Sequence, residues 1–150
     1  MEPATVFGED VFPDRQPWDV VFDALTVSYG EFWVLAEGGD RDDVESAIPD
    51  GDAVSGHGTA VGVPTRESRT SIEVALSVWD DTPPDGDGAY LNACRINVPE
   101  RELRVVNVEG REPGPALVLP DSGAYEVKVW RRVCDGPEQY DIRVWPSPGQ

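Results

Sequence analysis

Lysine is nearly missing from this chain: Lys128 is the only one. Basic side chains number 12 against 29 acids, a formal charge of −17. Such a field repels phosphates and anionic lipid, which argues against direct binding to nucleic acid or to a membrane surface. Histidine is equally scarce. Any Ser-His-Asp or Cys-His site has to be built on His57, and Ser55-Gly56-His57-Gly58-Thr59 reads as a flexible turn rather than a strained nucleophile elbow. Cys94 and Cys134 are too few for a disulfide framework and form no C-x-x-C pair, so buried, reduced thiols are expected. No apolar run approaches the roughly 18 residues of a membrane span. Met1-Glu2-Pro3 lacks the basic start of a secretory signal, and a cytoplasmic location is expected.

Catalytic and metal motifs are missing as well. No H-E-x-x-H, P-loop or G-x-G-x-x-G pattern occurs. Asp85-Gly86-Asp87-Gly88 starts like a calcium loop but continues with Ala89 and Ile96 where ligands are required. Asp40-Arg41-Asp42-Asp43 and Asp50-Gly51-Asp52 fail the same test. The expectation is therefore a protein that is not an enzyme, with no catalytic residues, no cofactor and no metal.

What remains is rich in strand signals. The length suits one domain able to bury roughly two-thirds of its unfolded surface, and five Trp, four Tyr and four Phe supply a core. With 15 Gly and 14 Pro, few windows stay open for a helix. Arg41 to Ile48 offers about two turns before Pro49 stops it, inside a long acidic stretch from Glu37 to Gly58. Alternation predicts strands at Leu25–Tyr29, Glu31–Ala36, Thr59–Val63, Thr70–Trp79, Tyr90–Val98, Leu103–Val108, Ala116–Leu119, Ala124–Arg131 and Gln139–Trp145. The fold class is all-β: an antiparallel β-sandwich of about eight short strands with long acidic loops, a β-barrel being the alternative. Residues 1–23 form an N-terminal segment, 24–146 the sandwich and 147–150 a short tail. Asp80 to Gly88 is expected to be a solvated loop.

One feature of the register is unusual. Trp79, Trp130 and Trp145 share the parity of Glu73, Lys128, Asp141 and Arg143, opposite the aliphatic positions of their strands, and Trp33 stands opposite Phe32 and Val34. Large aromatics thus fall on a face expected to be wet. Either something covers them, with Val6, Phe7, Val11, Phe12, Trp18 and Val20 as candidates, or they form an aromatic interface rimmed by acids.

Two stretches carry a resemblance. Val27-Ser28-Tyr29-Gly30-Glu31-Phe32 fits V-S-Y-x-x-F/W, and Gly123-Ala124-Tyr125-Glu126-Val127-Lys128-Val129 precedes Tyr140 to Trp145-Pro146. In these the chain resembles small actinobacterial proteins with G-x-Y-x-V-x-V and Y-x-x-x-x-W-P endings, and more remotely the competence protein J family of nuclease inhibitors. The resemblance implies a compact β domain that blocks a nuclease by protein contact, and it transfers no site residues.

Charge leads independently to the same class of partner, because an acidic protein can occupy a basic phosphate-binding cleft. The expected function is an acidic protein-binding module of inhibitor or immunity type against a basic partner such as a nuclease. The alternative is a structural or housekeeping β domain whose acidity serves solubility or salt tolerance. The candidate contacts are Asp40, Asp42, Asp43, Asp50 and Asp52 from one loop, Asp80, Asp81, Asp85 and Asp87 from another, and Trp79, Trp130 and Trp145. An inhibitor gathers acids and an exposed aromatic at one place, whereas salt adaptation spreads acids evenly.

Overall fold

The computed structural model describes residues 15–49, 51, 53–107, 114–133 and 136–148. Val6, Phe7, Val11, Phe12, Asp50 and Asp52 lie outside the described residues, as does Cys134.

Two five-stranded sheets face each other. The first consists, in spatial order, of β1 (Asp19–Val27), β5 (Thr70–Val78), β10 (Glu138–Pro146), β9 (Gly123–Arg132) and β6 (Ala89–Val98). The second runs β3 (Ser55–His57), β4 (Ala60–Pro64), β2 (Glu31–Ala36), β7 (Glu102–Val106) and β8 (Leu117–Val118). Among the described residues no strand joins the two sheets, which makes the fold a sandwich rather than a closed barrel. Among the described strands all pairings are antiparallel except β5 with β10, where Ile72 to Val78 align with Glu138 to Val144 in the same direction.

The core follows the alternation. Ile72, Val74, Leu76 and Val78 of β5, Tyr125, Val127 and Val129 of β9, and Tyr140, Ile142 and Val144 of β10 point between the sheets. They meet Phe32 and Val34 of β2, Val61 and Val63 of β4 and Leu103 and Val105 of β7. Phe32 packs edge-on against Tyr140, ring centroids 5.1 Å apart. Tyr125 closes one corner, its hydroxyl donating to the Asp121 carbonyl at 2.7 Å, the device that pins a sandwich corner to its own upstream backbone.

Two elements differ from expectation, and the short helix expected over 41–48 is present. β1 begins at Asp19, ahead of the boundary drawn at residue 24, and Tyr29 lies in the turn after it. Ser55–His57 is the edge strand β3 rather than a free turn. Residues 41–46 form the short helix α1, whose start is capped by the Asp40 carboxylate accepting from the Asp42 amide at 2.9 Å.

Helix α1 is not a surface ornament. Trp33, on the outer face of the second sheet, donates its indole N–H to the Ala47 carbonyl at 3.0 Å and packs with Ala47 and Ala60. Gly62 of β4 makes this possible, because a Cβ there would collide with the Ala47 carbonyl. Among the described residues no helix is long and apolar enough to cross a membrane.

Candidate functional site

The outer face of the first sheet carries the three tryptophans, and they are buried. Trp79, Trp130 and Trp145 are 1%, 4% and 7% exposed. They do not form a wet aromatic surface. Val20 of β1 contributes to the cover, packing against the group of Ala75, Trp79 and Trp145, and the 80–88 segment lies across the sheet.

That segment was expected to be solvated, and in part it is not. Pro83 is buried, and Arg143 Nη1 donates to the Pro84 carbonyl at 2.8 Å. Gly86 sits so close that a Cβ there would lie 2.8 Å from Asp141 Oδ2 and 3.0 Å from the Trp130 ring. The physical reason is the charge beneath. Arg143 and Asp141, side chains 3% exposed each, form a two-pronged pair with Nε–Oδ1 at 2.9 Å and Nη2–Oδ2 at 2.7 Å. A buried ion pair needs its remaining donors met, and the Pro84 carbonyl meets one of them. Burial still pushes the Asp141 carboxyl up, with Arg143 opposing.

Cations and rings alternate across this face. Arg143 lies 5.4 Å from both the Trp79 and the Trp130 ring centroids, and Arg15 stands 5.2 Å over Trp79. Trp130 leans on Tyr90 at 5.5 Å, and Lys128 stands 5.9 Å from Tyr90 and 5.8 Å from Trp145. Each contact falls within cation–π range. The sole lysine is therefore a packing residue.

A group of acids shares one end of the sandwich. Register fixes the two ends of the sandwich: Asp19 aligns with Val78, Val78 with Val144, Pro146 with Tyr125, and Gly123 with Val98. At this end stand Asp19, Asp80 and Asp81, then Asp121 in the turn before β9. Glu100 and Glu102 follow β6, and the Glu37 amide donates to the Glu102 carbonyl at 2.9 Å. The Asn97 amide donates to the Gly58 carbonyl at 2.8 Å, which brings Asp40, Asp42 and Asp43 of the α1 region to the same end. At the opposite end, around the turn after β4, the end of β9 and the start of β10, are Arg66, Arg69, Arg131 and Arg132 together with Glu31, Glu67 and Glu138.

Within the acidic end the side chains have different duties. Asp43 is structural: Oδ2 accepts from the Thr59 amide at 2.9 Å and from its hydroxyl at 2.7 Å. These bonds, the hydroxyl's first, hold the carboxyl below its ordinary range, helped by His57 at 3.9 Å. Asp80 and Asp81 share Arg15 at 3.1 and 2.7 Å. Asp42 is exposed. Of the second loop's other acids, both Asp85 and Asp87 are exposed, but Asp87 belongs to the opposite end, near the start of β6. The structure thus brings Asp40, Asp42, Asp43, Asp80 and Asp81 to one end and leaves Asp87 apart.

An aromatic does reach the surface at the acidic end, and sequence reasoning cast it as cover. Trp18 is 55% exposed, with its amide donating to the Val78 carbonyl at 2.7 Å, beside Asp19 and the Asp80–Asp81 pair. Its position just before β1 was the available signal, obscured because β1 itself was read as starting later.

His57 is exposed on β3 with Asp43 as its acidic neighbour. Burial, with Glu126 adding to it, pushes the Cys94 thiol up to about 12, which keeps it protonated and poorly nucleophilic. Among the described residues no cluster of His, Cys, Asp or Glu is placed to hold a metal ion.

No family model matches the chain, and no curated protein matches it. Two solved structures share the architecture. One is ComJ from Bacillus subtilis, an inhibitor of the DNA-degrading activity of NucA, at TM-score 0.62 and 13% identity, covering 88% of this chain and 98% of that one. The other is the crocagin biosynthetic gene J product, at TM-score 0.62 and 11% identity, covering 86% of this chain and 97% of that one. At such identity the likeness is one of fold: a ComJ-like β-sandwich spanning nearly the whole molecule.

Proposed function

We propose that this protein is a binding module of inhibitor type that docks its acidic end onto a basic protein, with Trp18 as the aromatic anchor and a nuclease as the kind of partner it fits. The observation that carries this reading is the exposed Trp18 among Asp19, Asp80 and Asp81 at the acidic end. A partly exposed Trp with acids nearby is the composition of an interface hot spot, and carboxylates at this end speed encounter with a cationic surface. The ComJ-like fold supports the reading, since a sandwich of this architecture serves as a nuclease inhibitor in Bacillus subtilis.

The test is affinity capture of a basic protein from the native lysate at low salt, followed by nuclease assay of the captured protein with increasing amounts of the chain. Activity falling to a plateau at a fixed molar ratio is the expected result. The variant Trp18→Ala is expected to weaken binding about 30-fold, a loss of about 2 kcal/mol. Equal binding and inhibition by Trp18→Ala and by the pair Asp42→Asn with Asp81→Asn would place the contact elsewhere and defeat the proposal.

A further inference from the structure

At the end opposite the acids a groove opens between the turn after β4 and the start of β6, lined by Arg66, Arg131, Arg132 and Asp87 with apolar Ala89 and Val133. Arg131 is the unusual member. It is 7% exposed, and its Nε donates to the Tyr140 hydroxyl at 3.1 Å while Nη2 donates to the Pro64 carbonyl at 2.8 Å. Its charge reaches a carboxylate only through that phenol, which donates onward to Glu138 at 2.6 Å. Glu138 is itself engaged further, by the Arg66 amide at 3.1 Å. No described group accepts from Arg131 Nη1, yet that nitrogen is not sealed off, because Gln139 Oε1 is the one buried side-chain polar atom without a partner among the described residues. Nη1 is thus not fully buried, and Arg131 is one of the residues that line the groove. Arg66 stands exposed at the rim, and among the described residues its guanidinium has no ion-pair partner.

A guanidinium this deeply buried is ordinarily matched by a carboxylate or phosphate held on its fork. The distant acids do not forbid an anion here. β10 spans nine residues between the two ends, roughly 26 Å at strand rise, about three Debye lengths at physiological salt. The net charge of −17 nonetheless favours a singly charged ligand over a phosphate dianion, and the walls at Ala89 and Val133 accept an apolar stem. We propose that this groove binds a carboxylate carried on a short apolar stem, with Arg66 and Arg131 as its guanidinium contacts. The ligand is either a free small acid or the C-terminus of a peptide.

Amide-resolved NMR titration of the full chain tests this, with butyrate, acetyl-alanyl-valine and its C-terminal amide as probes. Saturable shifts at Gly88, Ala89, Arg132 and Val133 are expected with the acids and absent with the amide. Tighter binding of the dipeptide acid identifies a chain end as ligand, and equal or tighter binding of butyrate identifies a small acid. Arg66→Gln, an exposed position, is expected to weaken binding about tenfold by removing a charge-assisted hydrogen bond. Asp87→Asn is expected to tighten it about threefold by removing like charge. No saturable shift with either acid, equal shifts with the amide, indifference to Arg66→Gln, or stronger binding of inorganic phosphate at the same amides would each overturn the assignment.

Discussion

Asp43 illustrates how little a residue's charge says about its duty. Grouped by sequence with Asp40 and Asp42 as a contact for a partner, it instead receives both the hydroxyl and the amide of Thr59 and so ties α1 to the start of β4. The direction of its pKa has a consequence for acid stability. A carboxyl held below its ordinary value of 3.8 contributes stability that is present above that value and lost as pH falls through the lowered one. Thr59→Val deletes the hydroxyl bond and keeps the amide bond. It is expected to move the Asp43 pKa part of the way back up, read by NMR of the side-chain carboxyl, and to make the chain lose this contribution at higher pH than the wild type. An Asp43 pKa unchanged in the variant would mean that His57 or the amide alone sets it. Nothing in the sequence reveals this pairing, because sixteen positions separate the two residues and only the folding of α1 over the second sheet brings them together.

At the scale of elements, legibility depended on whether both faces of a strand had contrasting partners. β5, β9 and β10 alternate cleanly because one face meets the core, and their inward residues were readable one by one. β1 was not, since Val20, Phe22 and Ala24 put apolar groups on its outer face and blur the period of two. β3 is three residues of Ser, Gly and His, with no pattern to find. The 80–88 segment misled for another reason: its Asp, Pro and Gly content is that of a solvated loop, while its place is decided by Arg143, 59 positions beyond Pro84, whose Nη1 donates to the Pro84 carbonyl. Tryptophan parity signalled that a cover was required but could not say which segment supplied it. If this segment holds the buried Arg143–Asp141 pair in place, it should tolerate no bulk where it touches them. Gly86→Ala is expected to cost about 1–3 kcal/mol in chemical denaturation, the range for overpacking, and to shift tryptophan fluorescence as the cover lifts from Trp130. Unchanged stability and emission would show that the segment yields freely and that the pair does not depend on it.

For the whole molecule the decisive quantity is where the charge lies. A total of −17 is readable from composition, but which acids share an end is a property of the register, since Asp19, Asp81, Glu100 and Asp121 come from four separate turns and strand ends. That grouping predicts a particular response to salt. Like charges crowded at one end repel over the distance between neighbouring strand ends, about 5 Å per strand, and much of this is screened once the Debye length falls from about 30 Å at 0.01 M to about 8 Å at physiological salt. Raising sodium chloride over that range is expected to add about 1 kcal/mol, or roughly 2–4 °C in Tm for a chain of this size, with little gain beyond it. Acidity serving adaptation to concentrated salt predicts a different curve, one that keeps climbing to molar concentrations. A thermal melt series from low to 2 M sodium chloride separates the two. An early plateau leaves the acidic end free for recognition, whereas a continued rise assigns the acids to solvation and removes the electrostatic support for an inhibitor.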